Sequence, residues 1–329
     1  MNLQVQAQAV FTLRRPSGGL ESSFASDRLH TLHPPGFQLS PLGYVLLVHG
    51  YNNSHKQARA SYARFRWWLG RAAANPRVLE LHWPGNSVNW KYLPRLSMAL
   101  GAASYWRQPD MAVKCGRTLA SWLERAPNGA RFVLVGHSMG CRLILEALRN
   151  LQTGERRRRI AGVCLMAAAV PIRMVERHDL GPVPRDRARW RVLFSRGDNV
   201  LKGAFPIGQA AAFDSFFSRA VGYTGEPKVR WSAVGKCEEM HEPWNYRENY
   251  YNHGWYWPGG QGEGQTVVQG GAEPLLPIKA PSTNSGGSAT AVAELLGGVI
   301  ERNFQKRAVP LGRAVTHDRE FWARSIGET

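Results

Sequence analysis

Short apolar runs alternate with longer amphipathic stretches through the middle of the chain. The apolar runs are YVLLV (44–48), RVLEL (77–81), FVLV (132–135), IAGVCLMAAAV (160–170), WRVLF (190–194) and VRWSAV (229–234). Nearly continuous apolar strands are expected in a parallel sheet, because helices cover both of its faces. The runs therefore predict the strands of one buried sheet.

The stretches between these runs have apolar positions at intervals of three and four residues, which is the spacing of an amphipathic helix. The clearest are HKQARASYARFRWWLGRAAA, WRQPDMAVKCGRTLASWLERA and MGCRLILEALRNL. The alternation of strands and helices predicts an α/β fold with a doubly wound, mostly parallel sheet and right-handed crossovers.

The two ends of the chain differ from this middle region, which we take as one domain over residues 44–258. Residues 1–43 contain one candidate strand, VQAQAVFTL, before a stretch rich in Gly, Ser and Pro, and are predicted to be a leader that packs on the domain. Residues 259–329 begin with a long Gly- and Pro-rich segment, which favours a wrap or linker. A stripe of apolar residues predicts one short helix at 289–304.

A serine lies between two glycines where a predicted strand gives way to a predicted helix. The strand ends at Val135, Gly136 and Gly140 flank Ser138, and the helix follows. This strand, turn and helix form the context of a nucleophile elbow, in which the serine has a strained backbone and its Oγ projects above the sheet. Side chains at the two glycine positions would clash with neighbouring backbone. Ser138 is therefore the candidate nucleophile.

Two backbone N–H groups are candidates for an oxyanion hole. The Met139 N–H follows Ser138 at the start of the helix, where the helix dipole also stabilises negative charge. The segment VHGYNNSH follows the strand at 44–48, and we expect the Tyr51 N–H to be the second donor, with a side-chain contact from Asn52.

Two histidines and a glycine next to these groups are predicted to be supporting residues. His49 and Gly50 precede Tyr51 in the oxyanion segment, and His137 precedes Ser138 in the elbow. We expect both histidines to hold these segments through side-chain hydrogen bonds and not to carry protons.

Four motifs together resemble a known superfamily. LLVHGYNNS, LHWPGNS, LVGHSMGCRLILEAL and FSRGDNVL are similar to motifs of the α/β-hydrolase superfamily, and most closely to a bacterial branch of largely uncharacterised serine hydrolases. The resemblance covers roughly residues 40–258. It implies the α/β-hydrolase fold and a catalytic triad in the chain order Ser, Asp or Glu, His.

The resemblance also implies where the acid and the base lie. The acid follows a late strand, and Asp198 comes directly after the strand at 190–194, although RGDN also has the composition of a simple turn. The base follows the last strand, where His241 and His253 are both candidates. The branch carries an H-x-x-Y-like signature, which HGWYW matches at His253 with Tyr256. We predict His253 as the base and keep His241 as the alternative.

These residues predict acyl transfer in two steps, in which His253 accepts the Ser138 proton, Asp198 orients the imidazole and water releases the acyl group. The expected activity is that of a serine hydrolase, esterase-like or lipase-like, acting on a small-molecule or lipid ester without a metal or organic cofactor. Two alternatives stay open: an acyltransferase with the same triad, and a basic scaffold or binding protein that has the fold without turnover.

Aromatic residues are concentrated around the predicted base. Seven of the fourteen residues from Trp244 to Trp257 are aromatic, and most of them are expected to anchor the loop. Candidates for an apolar pocket wall are Trp255, Tyr256 and Trp257, together with Trp83 of the WPG motif.

Composition adds a basic surface to this picture. The 329 residues include 42 Lys and Arg against 24 Asp and Glu, a formal net charge of +18. Such an excess favours acidic partners, and we retain an anionic membrane surface as a candidate beside the simpler interpretation of a solvated surface. The basic run at 156–159 is typical of a solvated loop, so nucleic acid is not an expected partner. The oligomeric state stays open.

The cysteines and the lengths of the apolar runs indicate the compartment. Cys115, Cys141, Cys164 and Cys237 are scattered, which predicts reduced thiols and neither a disulfide frame nor a zinc site. The N-terminal segment never reaches the length of a signal-peptide core, and no later run reaches the length of a membrane span. We expect a cytoplasmic protein, and export by a route without a cleavable signal stays open.

Overall fold

The computed structural model describes about half of the chain. The described residues are 7–14, 25–51, 53, 55–73, 76–85, 107–151, 159–176, 189–212, 218–225, 235–239, 253–254, 256 and 289–296. They contain eight strands: β1 (Ala7–Arg14), β2 (Ala25–His33), β3 (Gly43–Val48), β4 (Val78–His82), β5 (Arg131–His137), β6 (Ile160–Met166), β7 (Arg189–Phe194) and β8 (Gly235–Glu239).

Helices connect and cover these strands. The described helices are α1 (His55–Ala72), α2 (Gln108–Glu124), α3 (Met139–Asn150), α4 (Ile172–Glu176), α5 (Phe205–Ala211), α6 (Val221–Thr224) and α7 (289–296). A π-helical turn, Val200–Ala204, precedes α5. Helices α2 and α3 pack against each other, and Gly116 of α2 allows their close approach because a Cβ there would lie 2.6 Å from the Glu146 Cβ.

All eight strands belong to one sheet, in the order β2-β1-β4-β3-β5-β6-β7-β8. Strands β1 and β2 are antiparallel, and every other neighbouring pair is parallel. The α/β fold with a doubly wound, mostly parallel sheet is thus confirmed. From β3 the chain continues to β4 on one side, and from β5 it continues to β6 on the other side. The direction of winding therefore reverses between β3 and β5. The loops after these two strands meet at the carboxyl edge of the sheet, which is where α/β folds bind ligands.

The N-terminal residues are an integral part of the sheet and not a leader packed on its outside. β1 lies between β2 and β4, and both of its faces are covered: Phe11 and Leu13 are buried on one side, Thr12 and Arg14 on the other. The predicted boundary at residue 43 therefore cuts through the sheet. The parallel pairing of β1 with β4 joins segments more than sixty residues apart in the sequence, which the local pattern of VQAQAVFTL does not reveal.

Five of the six predicted strands coincide with β3 to β7. The prediction for 160–170 extends too far, because β6 ends at Met166 and Ala167 has a left-handed backbone with φ 46°. The residues of the sixth prediction, 229–234, lie outside the described residues, and the strand found in this region is β8, directly after them.

Helix α7 packs on the sheet over β6 and β7. Val292 and Leu295 are buried, and a Cβ at Gly162 would lie 3.3 Å from the Leu295 Cβ. Glu294 forms an ion pair with Arg191 of β7. The helix covers the first half of the predicted range 289–304; residues 297–329 lie outside the described residues.

The structure describes the side chains of three of the four cysteines. Cys115, Cys141 and Cys164 are buried and form no disulfide, and burial raises the pKa of Cys115 to about 12. In the same part of the chain no helix is long and apolar enough to span a bilayer. No group of three or more His, Cys, Asp or Glu side chains there is arranged to hold a metal ion.

Candidate active site

Ser138 occupies the turn between β5 and α3 with a strained backbone. Its φ of 53° and ψ of −122° lie in a region that L-residues rarely adopt. A Cβ at Gly140 would lie 2.5 Å from the His49 carbonyl oxygen, and one at Gly136 would lie 2.8 Å from Ile144 Cδ1. At Gly140 the contact is with backbone that would have to shift, and at Gly136 the added atom would crowd Ile144 of α3, so the two glycines allow β3 and α3 to approach the turn.

A chain of hydrogen bonds links Ser138 to a histidine and a buried carboxylate. The His253 Nε2 lies 2.9 Å from Ser138 Oγ, and the His253 Nδ1 lies 2.7 Å from Asp198 Oδ2. Because an ionised carboxylate only accepts, Nδ1–H donates to Asp198, and Nε2 of the neutral ring accepts from the serine hydroxyl. The structure therefore brings together the three residues predicted as nucleophile, acid and base.

The carboxylate of Asp198 is fully buried and fixed at both oxygens. Its Oδ1 accepts from the Leu201 N–H at 2.9 Å, at the start of the π-helical turn, which leaves Oδ2 for His253. The Lys202 N–H donates to the Asp198 carbonyl at 2.9 Å. Residues 196–197 form a turn as the RGDN composition suggests, so the turn and the carboxylate contact occur together and do not exclude each other.

His137 holds the segment that carries His253. Its Nε2–H donates to the His253 carbonyl oxygen at 2.8 Å, across 116 residues of sequence. Burial, followed by the nearby His253, lowers the pKa of His137 to about 3, so the ring is neutral near pH 7. We expected this ring to hold the elbow; the bond from Nε2 runs from the elbow to the backbone of the candidate base.

The oxyanion segment lies directly against Ser138. A Cβ at Gly50 would be 2.9 Å from the Ser138 Cβ and 2.9 Å from His137 Nδ1, so only glycine permits this approach. Tyr51, the next residue, is partly buried, and Met139 is the first residue of α3. Both predicted N–H donors therefore lie on segments that flank the nucleophile.

Asparagine side chains follow Tyr51 in the sequence. Asn52 lies outside the described residues. Asn53, which the sequence analysis passed over, donates through Nδ2 to the carbonyl oxygens of Gly50 and Tyr51 at 3.3 and 3.2 Å. An asparagine in a turn bonding backbone two or three residues away is a common arrangement, and the pair NN was the signal for it.

His49 and Trp83 tie the oxyanion segment to the end of β4. His49 Nδ1–H donates to the Gly50 carbonyl at 2.8 Å, and its Nε2 accepts from the Trp83 N–H at 3.2 Å. The Trp83 indole N–H donates to the His49 carbonyl at 2.7 Å, and the two rings stack. Trp83 has no exposed surface, so the prediction that it lines a pocket is wrong: its ring is used to support the segment.

A buried polar cluster that was not predicted from the sequence lies behind His49. The Tyr62 hydroxyl accepts from the His49 N–H at 2.8 Å and donates to the Leu81 carbonyl at 2.6 Å. The rings of His55 and His82 lie 4.3 Å apart. Burial is the largest cause of the lowered pKa values of His55 and His82, and the charge of Arg14 lowers both further. The pKa of His55 falls to about 4, and that of His82 falls well below its usual range. Three distant segments build this cluster, so no local signal reveals it.

Of the aromatic residues near His253, only Tyr256 is described. It is completely buried, which fits an anchor of the loop and not an exposed pocket wall. Trp255, Trp257 and the alternative base His241 lie outside the described residues.

One arginine of the basic run has a structural role. Arg159 donates to the carbonyl oxygens of Leu123 and Glu124 at 2.9 and 2.8 Å and to Asn128 at 3.2 Å. It thus caps the C-terminus of α2, where a cation is favoured by the unpaired carbonyls. Residues 156–158 lie outside the described residues.

The sheet and the serine at the turn between β5 and α3 define the class of the protein, which is an α/β hydrolase. Residues 42–212 match the model of a family described as "Alpha/beta hydrolase of unknown function (DUF900)", and the chain belongs to this family. The matched range includes Ser138 and Asp198 and ends before His253.

Other comparisons add little about the reaction. Among solved structures, the chain is similar to the metagenomic carboxyl esterase MGS0156, with 13% sequence identity and a TM-score of 0.33 over 82% of this chain and 80% of that chain. A likeness of this extent carries no argument about the substrate. No protein with curated annotation matches the sequence significantly.

Proposed function

We propose that the chain is a serine hydrolase that cleaves a carboxylic ester through Ser138, His253 and Asp198. The observation that carries the proposal is the continuous chain of hydrogen bonds from Ser138 Oγ to His253 at 2.9 Å and from His253 to Asp198 at 2.7 Å. It coincides with the strained backbone of Ser138, which directs a serine out of its strand at an elbow.

The first half of the reaction forms an acyl-enzyme. As Ser138 Oγ attacks the ester carbonyl, its proton passes to His253 Nε2, and Asp198 stabilises the imidazolium through Nδ1. The N–H groups of Met139 and Tyr51 are the donors that would stabilise the oxyanion. When the tetrahedral intermediate collapses, the C–O bond to the alcohol breaks, and His253 returns the proton to the departing oxygen.

The second half regenerates the serine with a water molecule. His253 Nε2 takes a proton from the water, whose oxygen attacks the acyl carbon. The bond from that carbon to Ser138 Oγ then breaks, Oγ regains the proton from His253, and a carboxylic acid leaves. A carboxylate buried at both oxygens, as at Asp198, suits this cycle because it keeps the imidazole orientation fixed through both halves.

The burial of Asp198 against His253 also bears on the alternatives. A scaffold without turnover has no need of a fully buried carboxylate aimed at a histidine that in turn reaches a strained serine. An acyltransferase would use the same residues with an alcohol or amine in place of water, and only analysis of products with competing acceptors separates it from a hydrolase. A small-molecule or lipid ester is the substrate class we propose.

The first test is labelling with a fluorophosphonate, which reacts only with an activated serine. We expect the label on Ser138, with complete loss in Ser138→Ala and unchanged labelling in Ser121→Ala, which removes a partly exposed serine of α2 whose hydroxyl accepts from Arg125. Hydrolysis of p-nitrophenyl esters of graded acyl length should depend on Ser138 in the same way. Folded wild-type protein that neither labels nor hydrolyses any ester would refute the proposal.

A further inference from the structure

We propose that His137 is a positioning residue that fixes the backbone of His253, so that one imidazole reaches Ser138 and Asp198 at the same time. The inference rests on the proposed function for its catalytic consequence. The contact itself, from His137 Nε2–H to the His253 carbonyl oxygen, is a property of the fold.

The geometry explains why such a contact matters for a base on a loop. The His253 ring forms one bond from each nitrogen, at 2.9 and 2.7 Å, and these two bonds fix the ring orientation. The bond of 2.8 Å to the His253 carbonyl adds a third fixed point on the backbone. With three points held, neither a rotation of the side chain nor a shift of the turn can separate the ring from its two partners.

The position of His137 in the sequence makes the contact efficient. His137 is the last residue of β5 and precedes Ser138 directly, so the same strand end carries the nucleophile and holds the base. The other side of its ring faces Gly50 of the oxyanion segment. Its ring centroid lies 5.0 Å from that of His253. The buried His137 side chain therefore lies next to the nucleophile, the base and the oxyanion segment at once.

The electrostatic state of His137 suits this task. A backbone carbonyl only accepts, so the ring must carry its proton on Nε2. Because burial lowers the pKa of His137 to about 3, the ring stays neutral where the hydrolase would work. A neutral donor holds the His253 carbonyl without adding a positive charge beside the imidazolium that forms at each step of the reaction.

Two substitutions separate the hydrogen bond from the volume of the ring. His137→Phe keeps an aromatic ring and removes the donor, whereas His137→Gln keeps an N–H at a position close to Nε2. The rates are divided by the number of active sites, which is counted by titration with a fluorophosphonate. We expect His137→Phe to lower kcat by roughly 10- to 100-fold, which is the loss typical of a small misplacement of a catalytic group. KM should change by less than about threefold. His137→Gln should recover most of kcat.

Rates expressed per titrated active site distinguish a purely structural role of His137 from a positioning role. If His137 only stabilised the fold, His137→Phe would lower the melting temperature and the fraction of titratable sites, and the remaining sites would turn over at the wild-type rate. That result, or a His137→Gln variant as impaired as His137→Phe in a folded protein, would overturn the inference.

A second measurement on the full chain does not depend on turnover. In ¹⁵N-histidine NMR of the wild type we expect His137 to be neutral with its proton on Nε2 near pH 7, and a proton on Nδ1 would contradict the inference. The low-field proton of His253 Nδ1–H, bonded to Asp198, should be present in wild type and weakened in His137→Phe. If the wild type hydrolysed no ester but gave these signals, the proposed function would fail and the positioning contact would stand.

Discussion

His253 and a group of three other histidines lie on different sides of Ser138, and their surroundings differ. On one side His253 retains 17% side-chain exposure and donates to the buried carboxylate of Asp198. On the other side His49, His55 and His82 are buried, and neighbouring cations lower their pKa values further. Glu80, a carboxylate beside this second group, pairs with Arg66 and also lies 3.7 Å from His82 Nε2.

The difference favours His253 as the base in the proposed reaction. A histidine becomes a base when its charged form has a partner and the ring can meet a substrate, and His253 has both. Protonation of a buried histidine near arginines destabilises the folded protein. The two nitrogens of such a ring therefore act only as a fixed donor and a fixed acceptor. His49 is used in this way, since it bonds the Gly50 carbonyl and the Trp83 N–H.

The largest expected effect comes from removing the charge on the base side. Asp198→Asn keeps the size of the side chain but cannot stabilise the imidazolium, and an amide N–H facing Nδ1 favours the wrong tautomer. We expect kcat for ester hydrolysis to fall by about 10⁴-fold. Glu239→Gln is the matched control, because Glu239 is a carboxylate of the same sheet edge that pairs with Arg196 and should retain activity within about threefold. Equal losses in both variants would deny Asp198 a special role.

A methyl group at Gly140 should break the contact between the elbow and the oxyanion side. The added Cβ would lie 2.5 Å from the His49 carbonyl oxygen and 2.6 Å from that of Val48, and backbone on both sides must shift. We expect Gly140→Ala to lower the free energy of unfolding by about 3 kcal/mol or more in urea titrations. Gly203→Ala is the control, because a Cβ added at this position of the π-helical turn would have no neighbouring atom within 4 Å. We expect it to be neutral or to stabilise the protein by about 0.5–1 kcal/mol.

Acid should weaken the fold through the buried histidines. The pKa values of His49 and His137 are lowered from 6.5 to about 3 and that of His55 to about 4. Below pH 6.5 the unfolded chain therefore binds protons that the folded chain does not, and stability falls as the pH drops toward 4. We expect the melting temperature to fall by roughly 5 °C or more between pH 7 and pH 5.

Substitution of single histidines tests the origin of this pH dependence. His55→Asn should make the decline shallower, because one buried titrating group is lost. His33→Asn changes an exposed histidine of β2 and should leave the slope as in wild type. A slope that neither substitution alters would exclude His55 as a source of the acid sensitivity.

The smallest expected effect comes from one hydrogen bond on the oxyanion side. Trp83→Phe removes the indole N–H that donates to the buried His49 carbonyl. We expect this loss to lower the free energy of unfolding by about 1–3 kcal/mol. Because the segment that carries Tyr51 then loses a support, we expect kcat to fall by about tenfold. Trp122→Phe, in the aromatic contact with Phe11 far along the sheet, should leave kcat unchanged. A Trp83→Phe enzyme with wild-type kcat would show that the segment does not need this bond.

Local sequence signals were sufficient for the features that local structure determines. Unbroken apolar runs predicted β3 to β7, because strands covered on both faces need no alternation. The glycines around Ser138 predicted the elbow, since steric contacts within a few ångströms of the turn exclude side chains there. Asp198 follows its strand directly, so its position at the carboxyl edge of the sheet follows from the strand itself.

Features that depend on distant segments were missed or wrongly interpreted. The strand at VQAQAVFTL was recognisable, but its place between β2 and β4 depends on pairing with Val78–His82, far along the chain. His137 was predicted as a support, yet its partner lies 116 residues away. Trp83 was assigned to a pocket because an aromatic residue near an active site has several uses, and only the bond to the His49 carbonyl decides among them.

Helix α7 has a consequence for the synthesis of the chain on the ribosome. The apolar face over β6 and β7 is complete once residue 194 has emerged, but the helix that covers it begins at residue 289, about a hundred residues later. At roughly 5–20 residues per second, translation leaves that face uncovered for about 5–20 s. We expect chaperones to bind the nascent chain at this face during the interval, and a message truncated before codon 289 would yield a polypeptide without the helix that packs there.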